Sequence, residues 1–196
     1  IALSAEHGTN ANTFRTRGLK GHVIQADNTG GLQFTAVQTA TGDNQTGVAT
    51  LNINNAGQMT SGTQPSFFAR SDGYPAMDIA TVPFGTVFHN IGGHYNNSTY
   101  RFTAPVTGRY YLSYSIRANH GTSGHIIHPV FMINGVSDSG SRTIYKNDTS
   151  GQYMATTFSY VRQLSANDYV TVNMSSGNSG GTLQAAQCSF TGHLLG

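Results

Sequence analysis

An all-β sandwich is the fold class this sequence predicts, and three observations predict it. Tyr110, Leu112, Tyr114 and Ile116 alternate with Tyr111, Ser113, Ser115 and Arg117. That period of two is the mark of a strand with one buried face. Charged residues make up only 9% of the 196, while Gly numbers 24 and Thr, Ser and Asn abound, a composition of strands and tight turns. No long helical period runs anywhere in the chain.

The elements follow in order. Residues 22–26, 32–37 and 48–53 read as short strands, separated by Gly/Asn/Asp turns at 27–31 and 54–57. These pieces hold too few apolar residues for a core of their own. Ile24, Leu32, Phe34, Val37, Leu51, Ile53 and Met59 therefore need partners from elsewhere, which three chains around a common axis would supply. Residues 61–65 read as a hinge. Beyond it, strands are expected at 66–70, 86–88, 101–103, 110–118, 126–133, 153–163, 169–175 and 186–195. Pro105 cannot donate to a ladder and pushes Ala104 towards extended geometry, so a strand ends there. Gly108 is expected to supply a positive φ in the turn that follows.

Residues 87–112 read VFHNIGGHYNNSTYRFTAPVTGRYYL. This stretch resembles the centre of the complement C1q-like globular head, part of the C1q and tumour necrosis factor group. Two further pieces fall in the order of that group. Leu164, Asp168 and Val170 match its Leu-x-x-x-Asp-x-Val turn and strand, and Phe190, Gly192, Leu194 and Leu195 match its closing Phe-x-Gly-x-Leu-Leu strand. The resemblance covers about residues 65–196. It implies a ten-stranded jelly-roll β-sandwich, a homotrimer, and recognition rather than catalysis. Tyr100 departs from it, since many members carry Gly at the turn before the Phe. On this reading residues 1–62 are a β-structured stem or neck and residues 63–196 the head. Residues 51–60, LNINNAGQMT, also resemble a segment frequent at the base of phage tail-fibre tips, and no Gly-every-third collagen repeat is visible.

Composition narrows the function. A net charge of +2 is too small for a nucleic-acid footprint. No run approaches the ~18 apolar residues of a membrane span. The chain opens at Ile1 and reads as part of a longer polypeptide. One cysteine, Cys188, excludes an intrachain disulfide and reads as a small buried residue in the last strand. The carboxylates are Glu6 and seven Asp, mostly in Asn/Gly/Ser turns, and no nucleophile elbow, P-loop or dinucleotide fingerprint is present. The chain is not expected to be an enzyme.

His120, His125 and His128 cluster in one segment, but His125 and His128 would point to opposite faces of a strand. Calcium is implied by the resemblance alone, with Asp72, Asp78, Asp138 and Asp148 in loops and no ligand pattern to carry over. Recognition is the favoured role. The loops 120–128, 135–152 and 177–183 offer Asn119, His120, His125, Arg142, Tyr145, Asn147, Asp148, Tyr153 and Asn178, a mixture suited to protein or sugar contacts. The expectation is a homotrimeric receptor-binding tip of a phage tail fibre. It would sit on the virion, joined to an upstream fibre shaft, and bind a host surface glycan or outer-membrane protein. A secreted C1q-like recognition protein of a cellular organism and a purely structural trimerisation tip are the alternatives. A surface-glycan depolymerase is disfavoured for want of a carboxylate pair.

Overall fold

The computed structural model describes all residues except 1, 4, 8–12, 17, 27, 28, 40, 74, 77–79, 175–180 and 185. The chain divides into two compact units, Ile1–Thr63 and Gln64–Gly196.

The amino-terminal unit contains β1 (Ala2–Leu3), β2 (Ala5–His7), β3 (Phe14–Thr16), β4 (Gly21–Ala26), β5 (Leu32–Val37), β6 (Gly42–Gln45), β7 (Val48–Ile53) and β8 (Met59–Thr60). One sheet runs β1-β4-β5-β7-β8 and a second runs β2-β3-β6. Phe14, Val23 and Val37 form a small core. Val37, expected to need outside partners, is thus satisfied within the unit. The same face of the larger sheet carries a polar ladder. The Gln25 amide donates to Gln33 at 3.2 Å, and the Gln33 amide donates to Asn52 at 3.0 Å. Register places Ile24, Phe34 and Leu51 in one row of the opposite face, and Leu32, Ile53 and Met59 in the next. None of these six is buried. The β7–β8 hairpin closes on Asn54, whose Oδ1 accepts the N–H groups of Ala56 and Gln58.

The carboxy-terminal unit contains β9 (Ser66–Arg70), β10 (Thr86–Ile91), β11 (Tyr95–Asn96), β12 (Arg101–Thr103), β13 (Gly108–His120), β14 (Ile126–Ile127), β15 (Pro129–Ile133), β16 (Val136–Ser137), β17 (Tyr145–Lys146), β18 (Tyr153–Leu164), β19 (Tyr169–Met174), β20 (Gly181–Leu183) and β21 (Ser189–Leu194). Two five-stranded paths, β10-β9-β21-β13-β18 and β11-β12-β19-β15-β16, form the jelly roll. The short β20 also pairs with β13, and β14 pairs with β17 apart.

The core lies between the two sheets. Phe67 stacks on Tyr95 and Phe102, with ring centroids 4.7 and 4.9 Å away, and meets the edge of Phe190 at 4.7 Å. Each such ring stabilises the fold by about 1.5–3 kcal/mol through burial alone. Tyr110, Leu112, Tyr114 and Ile116 all point inward and are buried, as the alternation predicts. The Tyr114 hydroxyl lies 2.7 Å from the Ser141 carbonyl and 3.0 Å from that of Pro129. Burial raises its pKa above the ordinary tyrosine value.

Several expectations change. Residues 126–133 are two strands in different sheets, because Pro129 has no N–H with which to continue the β14 ladder. The last strand begins at Ser189, after a turn in which Ala186 takes φ +56. Gly108 does not have a positive φ. Its requirement is steric, since a Cβ there would stand 2.8 Å from Leu194 Cδ1. The positive φ falls instead on Tyr100, at +58, where the resemblance expects Gly. Asn134-Gly135, both at positive φ, make the β15–β16 hairpin inside what reads as a loop.

Candidate recognition surface

Seven of the nine expected site residues gather where β13 ends and β18 begins. Asn119 pairs with Tyr153 across these strands. The β14–β17 pair brings Ile127 opposite Tyr145, which draws the loops 121–125 and 147–152 together. Asn147 organises them. Its Oδ1 accepts the His125 N–H at 2.7 Å, and its Nδ2 donates to the Thr122 carbonyl at 2.7 Å and the Thr149 carbonyl at 3.2 Å. It is fully buried. Asn147 therefore builds the loops and does not face a ligand, a correction to its expected role. His120 is also buried, with Nδ1 accepting the Thr122 N–H at 3.0 Å. Asn119 donates to the Gly151 carbonyl at 2.7 Å.

What this framework presents outward is Tyr145, Asp148 and Tyr153. Tyr153 is half exposed and lies under the Arg117 guanidinium, 4.3 Å from its ring centroid. Arg117 in turn donates to the Gln187 side chain. Arg142 does not join them. It closes the 3-10 turn Ser139–Ser141 and lines a separate cleft of about 240 Å³ with Val130, Met132, Ser137 and Asn173. Asn178 lies outside the described residues.

The imidazoles of His120 and His125 stack, with centroids 3.4 Å apart and planes within 15°. Ring-nitrogen lone pairs lie in the ring planes, so two parallel rings do not converge on one ion. Among the described residues no three His, Cys, Asp or Glu side chains come together. Calcium needs several oxygens at once. Asp72 is engaged by Thr86, Asp138 by Tyr160 and Arg162, and Asp168 by Asn134 and Ser165. Asp78 lies outside the described residues, and the described carboxylates do not come together as a calcium site needs. The Asn134 amide and the Ser165 N–H hold the Asp168 carboxyl below the usual carboxylate range. Burial raises the Cys188 thiol above its ordinary pKa, and its sulfur exchanges hydrogen bonds with the Arg117 backbone at 3.2 and 3.3 Å. That thiol is a packing group, as its place in the sequence suggests.

A second surface was not legible in the sequence. The outward face of β10-β9-β21-β13-β18 carries Phe68 beside Phe88, with centroids 5.3 Å apart and the Arg70 guanidinium 4.2 Å above the Phe88 ring. Tyr111 lies 5.1 Å from His193, and Val161 pairs with Tyr111 across the strands and is half exposed. Next to the Tyr111–Val161 pair along the same two strands, Ser113, Ser115, Thr157 and Ser159 form a hydroxyl floor. No carboxylate occurs in any of the five strands. Tyr95 and Phe190 face the other way, into the core. Phe88 and Tyr111 remain available.

The model of the C1q domain matches residues 66–195. This chain belongs to the C1q domain family. Many solved structures share the fold of its C1q domain, among them two animal proteins. The globular domain of zebrafish complement 1qA is 17% identical, with a TM-score of 0.55 over 67% of this chain and 98% of that one. Murine APRIL is 14% identical, with a TM-score of 0.55 over 67% of this chain and 99% of that one. No curated protein matches the chain in sequence. C1q domains are generally recognition modules without enzymatic activity and often assemble as homotrimers.

Proposed function

We propose that this chain is the receptor-binding tip of a phage tail fibre, a homotrimer whose C1q domain recognises a saccharide or protein on the host cell surface. The observation that carries the reading is the pairing of two surfaces on one domain. The outward sheet face has the exposed aromatic and aliphatic groups that a self-association surface needs. The loop cluster offers Tyr145, Tyr153, Asp148 and Arg117 on a fixed backbone, the aromatic and hydrogen-bonding mixture of adaptable recognition sites. The viral setting is supported by the likeness of residues 51–60 to fibre-tip segments and by the β-structured unit that directly precedes the C1q domain. The chain would act outside the host cell, on the virion, joined to an upstream shaft. Three weak contacts per tip, and several tips per particle, raise overall avidity without any strong single site.

Adsorption competition tests it. Purified chain should block attachment of the parent phage, and Tyr153→Ala should raise the concentration needed by about tenfold, the equivalent of ~1.4 kcal/mol. Attachment unchanged by saturating chain would remove receptor binding from this domain.

A further inference from the structure

The larger sheet of the amino-terminal unit has its faces in an unusual order. The face over Phe14 holds the Gln25, Gln33 and Asn52 ladder together with Thr35. The face turned away carries Leu32, Phe34, Leu51, Ile53 and Met59 in adjoining rows, none of them buried. Leu32 is 40% exposed and Met59 67%. Three strands, β4, β5 and β7, thus spend polar side chains on their own small core and turn large apolar ones the other way. A sheet face of this kind needs a cover.

We infer that the cover is the same face of other copies of this chain, so that the amino-terminal unit is a second self-association interface. The rows carry no charge, so identical faces meet without repulsion, and like aliphatic groups pack without needing a complementary partner. This rests on the homotrimer proposed above. A tether of five residues, 61–65, joins the last strand of this unit to the first of the C1q domain. Domains held together therefore keep their amino-terminal units at high effective concentration, in the millimolar range for a short linker.

The test uses the full chain carrying Thr60→Cys, an exposed position on the polar side of β8, with a nitroxide on the introduced thiol. Cys188 is buried and does not label. Light scattering gives the mass, and electron dipolar spectroscopy gives the distance between labels. The expected result is a mass of three chains with one narrow, short inter-label distance. Adding Leu51→Asp should lose that narrow population while the mass stays at three chains. Met59→Lys, a change at a more exposed position, should do the same. A three-chain mass with broad, long distances that neither variant alters overturns the inference and leaves the homotrimer standing. A one-chain mass overturns both.

Discussion

Gly192 shows how much one missing methyl group decides. It sits in the closing strand between Phe190 and Leu194, and a Cβ there would stand 2.8 Å from Leu112, 2.9 Å from Phe67 and 3.1 Å from the Tyr111 carbonyl. Two of those neighbours are fixed in the core, so they cannot give. Gly192→Ala should destabilise the C1q domain by about 1–3 kcal/mol, read as a lowered denaturant midpoint with unchanged slope. The Phe-x-Gly-x-Leu-Leu motif is therefore a packing requirement that a sequence states openly, although the reason for it does not. Tyr100 is the converse case. Its φ of +58 is a backbone feature that the spacing of the motif implies and its residue type conceals. Asp168 gives a pH-dependent prediction. Its folded-state pKa is depressed, so the stability it adds is complete above the ordinary carboxylate value near pH 4 and is lost as pH falls through the depressed one. Asp168→Asn should lower stability at neutral pH by less than about 1 kcal/mol, read as a small drop in the thermal midpoint, because the group is only partly covered, and the two curves should converge in acid.

The loops depend on one buried amide. Asn147→Ala would leave the His125 N–H and the Thr122 carbonyl without their partner, at a cost of about 2 kcal/mol. The expected outcome is faster amide exchange across 121–125 and 147–152, with protection of β13 and β18 unchanged. Exchange as slow as in the wild type would mean the β14–β17 pair alone holds the loops. Strand periodicity made the long elements legible, β13 and β18 above all, because each has one buried face and so alternates. The short ones escaped it. Two-residue strands such as β11, β16 and β17 show no period, and only the Asn134-Gly135 turn marks the β15–β16 hairpin in advance. Asn147 reads as a contact residue in the sequence because an Asn beside Asp and Thr looks the same whether it faces water or the protein. Only the fold distinguishes them.

Alternation establishes that a strand has two faces but not what covers the second one. Nothing in the order of Tyr111, Ser113 and Val161 separates a solvated surface from one meant for a neighbour. Exposed Val161 and Phe88, with Tyr111 and Phe68 partly covered on the same face, favour the neighbour proposed above. Val161→Asp places a charge where the proposed self-association requires an apolar group, on a side chain 53% exposed in the single chain. It should leave the fold intact and shift the native mass from three times 20.8 kDa towards 20.8 kDa. An unchanged mass would remove this face from the assembly. The order β10-β9-β21-β13-β18 has one more consequence. The last strand of the chain lies between the first strand of the C1q domain and its longest one, bonded to Ser66–Arg70 on one edge and to residues 110–115 on the other. While the chain is being synthesised, β9 and β13 have a gap between them and two open edges, and no rearrangement of residues already made can fill it. The native sheet stays incomplete until residues 189–194 have left the ribosome, so its earlier strands wait for the piece that joins them, exposed to neighbouring nascent chains.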